Sequence, residues 1–351
     1  MKENEEEIQE NSVVVNGEVA YEHYKHVVED KQVTMRIDKF VSNQIANMTR
    51  TKTQKLADQG FVFVNDEPVK SSYKIKPKDV IRIVKDVPKR DNTLVAQDIP
   101  VNIVFEDDYF VIVNKAPGMV VHPSYGHYTG TLVNGLLFKY SDISKTGNSE
   151  RPGLVHRIDK NTSGLLVVAR NADALTHLGR QFFNHTIKRK YIALVWGDFN
   201  EESGIIEGYI GRNLKNRKVM DVFQDESKGK KAITHFKVVE RFQYVTLVEC
   251  ELETGRTHQI RVHMKSIGHT LFNDQEYGGD KILKGTRFTK YKQFVQNCFK
   301  IFPRQALHAK SLGFIHPKTE KAMFFSSDLP KNFQDLIEKW RNYFSSNLST
   351  D

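Results

Sequence analysis

Apolar residues first recur at helical spacing at Met35, Ile37, Phe40, Val41 and Ile45, with Arg36, Lys39 and Asn43 off that stripe. A second short helix is predicted over 51–59, with Gly60 placed to end it. The pattern then alternates as strands do. Residues 61–64 predict a strand, Asn65-Asp66 a turn, and residues 80–84 a second strand after Pro77. Residues 34–90 therefore read as a compact helix-helix-strand-turn-strand module. Ahead of it, residues 1–33 read as an acidic segment with little structure of its own, apart from a short edge strand around Tyr21–Tyr24 and Val27-Val28. The polar, proline-containing Pro88–Asn92 reads as a linker, and residues 91–98 form the link to the next domain.

From residue 99 to residue 345 the pattern predicts one larger domain. Strands are expected at 101–104, 110–114, 165–169, 191–196, 232–240 and 245–253, and helices at 132–140 and 173–184. Strands and helices do not alternate regularly, so the expected class is α+β with a mainly antiparallel sheet, not a doubly wound parallel one.

Composition narrows the function classes. The chain has 351 residues, 39% apolar and 27% charged, as an ordinary globular protein has. No apolar run approaches the roughly 18 residues of a membrane span. The opening MKENEEEIQEN reads as neither a signal nor a transit peptide, and two cysteines make no disulfide framework, so a cytoplasmic setting is expected. The net charge is +9, and it is unevenly placed. Residues 1–33 carry three Lys against nine Asp/Glu, whereas residues 34–90 carry thirteen Lys/Arg against six Asp/Glu. A cationic excess gathered in one small segment suits a polyanionic partner such as RNA.

Three stretches carry candidate chemistry. In RPGLVHRIDKNTSGLLVVAR, residues 151–170, Asp159 lies between Arg157 and Lys160 and is followed by Thr162-Ser163-Gly164, read as a sharp turn. Flanking cations favour the ionised carboxylate that a nucleophile or general base requires. A surface ion pair would use the same residues, and the pattern alone does not separate the two readings. In KRKYIA, residues 188–193, Tyr191 opens a predicted strand and shares a face with Ala193 and Val195. In TGRTHQIRVHMKSIG, residues 254–268, Ile260, Met264 and Ile267 form one helix face and His258, Arg261 and Lys265 a cationic one. Thr257 suits the N-cap of that helix and Gly268 its end. His258 and His263 lack the spacing of a zinc pair, and no phosphate-binding, dinucleotide or nucleophile-elbow motif occurs, so neither metal nor cofactor is expected.

These stretches carry a resemblance. His156, Arg157, Asp159, Thr162, Ser163 and Gly164, together with KRKYIA and GRTHQIRVH, resemble the motifs of the RluA/RluD-type pseudouridine synthases of large-subunit ribosomal RNA, in that family's order. Residues 34–90 resemble an S4 RNA-binding domain. The resemblance covers about residues 34–345. It implies an RNA pseudouridine synthase that isomerises uridine in structured RNA, ribosomal RNA above all, with transfer RNA as the alternative. It implies Asp159 as the residue that starts the chemistry, Tyr191 against the base, Arg261 paired with Asp159, and Arg157 filling the stack left by the flipped base. Asp159 would either attack C1′ or act as a base in a glycal route. Arg36, Arg50, Lys52 and Lys55 of the S4-like module would face RNA. No cofactor, no membrane and a monomer are implied.

Two other classes share some of these features. A non-catalytic S4-type RNA binder would not need Asp159, Tyr191 and Arg261 together, and an RNA methylase would need a methyl donor. The chain departs from the family at Ile158, where Leu is commoner, and at Asn273, where Gly usually precedes Asp274. The basic, aromatic stretch 281–303 is longer than the family minimum and is expected either to contact RNA or to cover the core.

Overall fold

In the computed structural model the described residues are 12–15, 18–45, 48–85, 94–124, 127–147, 151–216 and 219–348. The chain divides into two compact units, residues 1–92 and 93–351.

The first unit is a five-stranded antiparallel sheet with two helices. Strands β1 (Ser12–Val15) and β2 (Glu18–Val27) precede α1 (Ile37–Gln44) and α2 (Arg50–Asp58). Strands β3 (Val62–Val64), β4 (Glu67–Pro68) and β5 (Val80–Lys85) complete it, in the sheet order β1-β2-β5-β3-β4. The helical stripe packs as its spacing requires, with Ile37, Phe40 and Val41 buried against Val62, Ile81 and Ile83. The expectation of a weakly structured residue 1–33 segment is corrected here. Residues 12–27 form a hairpin, and β2 is an interior strand paired along Tyr21–Val27 with β5. Ala20 within it and Val28 just past its end are buried, and the charges between them hide that periodicity in the sequence.

The second unit is α+β with a mainly antiparallel ten-stranded sheet. Its elements are β6 (Ile103–Glu106), β7 (Phe110–Lys115), α3 (Leu132–Lys139), β8 (Ser163–Ala169), α4 (Ala172–Phe183) and β9 (Lys188–Trp196). They continue as β10 (Ser203–Arg212), β11 (Met220–Phe223), β12 (Lys230–Arg241), β13 (Val245–Leu252) and α5 (Gln259–Ser266). The last are α6 (Thr289–Ile301), β14 (Leu307–Ile315), β15 (Ala322–Ser326) and α7 (Lys331–Leu348). The sheet order is β11-β10-β12-β13-β9-β14-β8-β7-β6, with β15 on β14, and among these pairs only β8 with β14 is parallel. The β10–β11 hairpin, α6, β14, β15 and α7 have no counterpart in the sequence-based elements.

Strand β9 separates two cores. Tyr191, Ala193 and Val195 join the core that holds α3 and α5, while Ile192, Leu194 and Trp196 join an aromatic core under α6 and α7. The stretch 281–303 thus covers a core, through Tyr291, Val295 and Cys298 of α6. Residues 94–98, expected to be linker, are instead tied to α3: Asn134 donates to the Val95 carbonyl at 2.7 Å and accepts from Gln97 N at 3.0 Å through its own carbonyl. Pro88–Asn92 lies outside the described residues. No described helix is long and apolar enough to cross a membrane.

Two fully buried histidines, His263 on α5 and His308 on β14, tie elements together. His263 Nδ1 meets Thr234 Oγ1 at 2.9 Å, and His308 bridges Ser163 Oγ and Ser327 Oγ at 3.0 and 2.9 Å. Burial lowers both imidazoles to about 4, so they are neutral in the fold but charge near 6.5 when the chain unfolds. A base whose folded pKa is depressed contributes no penalty above its unfolded pKa and a growing one below it. The unit should therefore lose stability as pH falls from about 6.5 to about 4, by on the order of 3 kcal/mol per histidine. Chemical denaturation at pH 7 and pH 4.5 measures this, and equal unfolding free energies would refute it.

Candidate active site

The strand that carries the site is fully buried. All seven residues of β8 are enclosed by neighbouring strands and helices, and each large apolar side chain there contributes about 1.5–3 kcal/mol. The turn that delivers Asp159 lies before that strand, where Thr162 N donates to the Asp159 carbonyl at 3.1 Å. Thr162-Ser163-Gly164, expected as the turn, is instead the entry into β8. Gly164 has φ +112, and a Cβ there would meet the Ala309 carbonyl at 2.2 Å, so glycine serves a close approach of β8 to β14 and not a reversal near a ligand.

The Asp159 turn is pinned from below. Ile158 is buried in the core. The Lys160 carbonyl accepts from Gly118 N at 2.9 Å and from Lys115 Nζ at 3.0 Å. The buried Lys115 also donates to the Ala116 and Met119 carbonyls at 2.7 and 2.9 Å. Burial lowers Lys115 to about 7, opposed by the charge of Asp159. Arg304 donates to the Asn161 carbonyl at 3.3 Å. In the sequence, Lys115 reads only as the start of a Lys-Ala-Pro-Gly turn.

Arg261 organises the carboxylates. It stands on α5, 3% exposed, and forks onto Asp274, with Nε to Oδ2 at 2.7 Å and Nη2 to Oδ1 at 2.8 Å. Its Nη2 also contacts Glu276, and its Nη1 reaches Asp159 Oδ2 at 3.3 Å. The expected Arg261–Asp159 pair is therefore present, but as the weaker arm of a network whose main partner is Asp274. Burial works against the charge on Arg261, and hydrogen bonding and charge from Asp274 overcome it, so its pKa is raised.

The cationic face of α5 meets one aromatic ring. Arg261 lies over Tyr277 at 4.8 Å and Lys265 at 5.4 Å, and the Tyr277 hydroxyl meets His258 Nδ1 at 2.9 Å. Its hydroxyl also accepts from Met220 N at 2.9 Å. His258, not Thr257, holds the N-cap position of α5, in left-handed conformation at φ 57 with no side-chain cap bond. Gln259 closes the loop instead, its Oε1 accepting from Arg256 N and Thr254 Oγ1. Ile267 is exposed and lies outside the apolar face assigned to it.

Asp274 sits on a closed turn, in which Gly279 N donates to the Asp274 carbonyl at 2.8 Å and Asn273 N to the Gly279 carbonyl at 3.0 Å. Asn273 takes φ 56, the conformation in which glycine is easiest. Its side chain gives compensation by donating to the Phe299 and Phe302 carbonyls at the end of α6, at 3.2 and 2.6 Å.

Asp159, Tyr191, Arg261 and Arg157 all line one cleft of about 600 Å³, within the range of small-ligand sites. Tyr191 on β9 is buried, and burial raises its pKa. Arg157 is exposed, with no hydrogen bond or ion pair to a described residue. His156 accepts from Val167 N at 3.0 Å through Nε2, stacks on Phe182 at 4.4 Å, and is held down to about 3 by burial and then by Arg189. Among the described residues no group of His, Cys, Asp and Glu is arranged to hold a metal. Asp274, Glu276, Tyr277, Lys115 and Arg189 belong to the site although the sequence patterns give none of them a role there.

In the first unit, Arg36, Arg50, Lys52 and Lys55 are all exposed. Two of them have a second task. The buried Asp38 carboxylate takes Arg36 Nη2 at 2.9 Å, Arg50 Nη2 at 3.4 Å and Gln54 Nε2 at 2.8 Å, and the Arg36 bond first of all holds it well below the usual carboxylate range. Lys52 and Lys55 make no ion pair with a described residue.

Comparison with known proteins agrees in both units. Residues 109–266 match the RNA pseudouridylate synthase family and residues 35–81 the S4 domain. A protein of Chlorobaculum parvum described as an uncharacterized RNA pseudouridine synthase is 43% identical over 91% of this chain and 98% of its own. The ribosomal large subunit pseudouridine synthase D of Zymomonas mobilis is 39% identical over 88% of this chain and 95% of its own. The solved structure of human RNA pseudouridylate synthase domain containing 4 shares the fold with a TM-score of 0.52, at 21% identity over 68% of this chain and 93% of that one.

The network predicts an asymmetry between two carboxylates. Asp274→Ala leaves a buried guanidinium without its fork and should cost about 3–5 kcal/mol of stability. Asp159→Ala removes one peripheral contact and should cost less than about 1 kcal/mol. Urea denaturation of the two variants tests this, and equal losses would contradict the assignment of Asp274 as the main partner.

Proposed function

The chain belongs to the RNA pseudouridylate synthase family and is an RNA pseudouridine synthase with an S4 domain; from that premise we propose that Asp159 starts the isomerisation of uridine in large-subunit ribosomal RNA. The observation that carries this reading is the single free arm of Arg261, which meets Asp159 at 3.3 Å on the wall of a cleft shared with Tyr191. In the reaction the N1–C1′ bond breaks, the uracil turns, and C5 bonds to C1′ while the C5 proton is lost and N1 gains one. Atoms balance within the nucleotide and solvent, so no redox partner or nucleotide energy enters.

Arg261 gives Asp159 a fixed cation, which favours the carboxylate that acts at the sugar. Tyr191 offers its ring as a platform for the uracil. Because burial raises its pKa, Tyr191 enters as the neutral phenol, a hydrogen-bond donor and not a resting phenolate base. Arg157, exposed at the mouth, occupies the place of the base that leaves the stack. Arg36, Arg50, Lys52 and Lys55 of the S4 domain bind phosphates. Large-subunit ribosomal RNA is the substrate that the name of the Zymomonas relative suggests.

Mapping pseudouridine in RNA from cells with and without the gene should show one or a few large-subunit sites that vanish on deletion. Wild-type protein should restore them and Asp159→Asn should not, although the variant still binds RNA. Restoration by Asp159→Asn would end this reading. Replacing both Lys52 and Lys55 by Gln should weaken RNA binding and lower the slope of log affinity against log salt by roughly 1.5, two phosphate contacts' worth. A slope unchanged from wild type would remove these lysines from the interface.

A further inference from the structure

Three successive cations on β9 differ in how they are balanced. Lys188 finds Glu251 at 3.6 Å and Lys190 finds Glu249 at 2.7 Å, both on β13. Arg189, between them, points to the other side of the sheet, into the cleft, and has no carboxylate partner among the described residues. It is nevertheless only 6% exposed. Among the described residues its guanidinium makes one hydrogen bond, from Nη2 to the Glu253 carbonyl at 3.3 Å, and its Nε is buried without a partner there. The carboxylate of Glu253 is turned away, onto His235 at 2.6 Å.

The surroundings hold this guanidinium still without neutralising it. Phe182 lies under it at 5.4 Å. The backbone of Gly255 covers it, and a Cβ at that position would come within 2.8 Å of Nη1. His156, which also packs on Phe182, is neutral and adds no second positive charge. A buried charge without a partner is costly, and proteins retain one where a ligand supplies the opposite charge. The ligand that enters this cleft is an RNA strand, whose only anionic groups are phosphodiesters.

We propose that Arg189 is the phosphate clamp of the active-site cleft, binding the phosphodiester next to the flipped uridine through the planar fork that guanidinium offers. This rests on the reading of the cleft given above. Arg189 thereby acts in binding and registers the nucleotide against Asp159 and Tyr191, and Arg157 at the mouth takes no part in this contact.

The test uses the full-length protein and a synthetic RNA oligonucleotide carrying the uridine mapped in cells, with single neutral methylphosphonate linkages placed in turn on either side of it. Wild-type protein should show about a tenfold rise in KM when one particular linkage is neutralised, with kcat little changed. Arg189→Gln should show the same rise on the unmodified oligonucleotide and no further rise with the neutral linkage. Arg189→Lys, which keeps the charge, should remain sensitive to that linkage, and melting curves identify variants that fold. Effects of Arg189→Gln and of the neutral linkage that multiply as independent losses would overturn the clamp, as would a folded Arg189→Gln with wild-type KM. If Asp159→Asn turned over the unmodified oligonucleotide, the reading of the cleft itself would fail, which separates the two outcomes.

Discussion

The guanidinium of Arg261 is the fixed point of the catalytic unit. Two of its nitrogens are committed to Asp274, and both partners are almost wholly buried. Neither charge is tolerable there without the other, so the pair must form as a unit. Once it has formed, the plane of the guanidinium is set and one nitrogen is left pointing at Asp159. The Asp159 carboxylate thus receives an oriented cation without having to hold it. That division matters for a group expected to interact with substrate, because the ion pair that keeps the fold intact is a different one.

The orientation depends in turn on the loop after α5. Asp274 is positioned by a closed turn with left-handed Asn273 at its start, and Asn273 reaches across to the last carbonyls of α6. A residue that looked in the sequence like a departure from a glycine is therefore a tie between the site and the aromatic core on the far side of β9. The same strand exposes Tyr191 to the cleft and buries Trp196 in that core. The basic, aromatic stretch 281–303 acts on the site through this route, by covering the core into which the strand is set.

The sequence made much of this legible where the signal is local. The helical stripe of α1, the strands at 232–240 and 245–253, and the motifs around Asp159, Tyr191 and Arg261 are short-range patterns, and the fold brings the three motif residues to one cleft although Asp159 and Arg261 are 102 residues apart. Signals that depend on distant partners were not legible. Asp274 and Lys115 look like ordinary turn residues until the elements that bury them are in place. Gly164 looked like a reversal because the approach of Ala309, its cause, comes from a strand far along the chain. The N-terminal hairpin was hidden because Glu22, His23, Lys25 and His26 interrupt it, so the buried Ala20, and Val28 just past its end, read as isolated.

The cations of the cleft fall into groups that burial separates. Arg261 is buried and balanced by acids of its own chain. Arg157 is exposed, and water solvates it whether or not RNA is present, so leaving it unpaired costs little and it is free to move into a stack. Arg189 is buried with no carboxylate partner among the described residues, an environment that the proposed phosphate would complete. A strand of RNA meets these differences in a single event. On the proposed reading, the exposed arginine gains contact with bases, the buried one gains its missing charge, and the carboxylate at Asp159 faces the sugar between them. On that reading, repulsion between Asp159 and an incoming phosphate is offset locally, because each anion has a separate arginine, and this separation would let a carboxylate work on a polyanion.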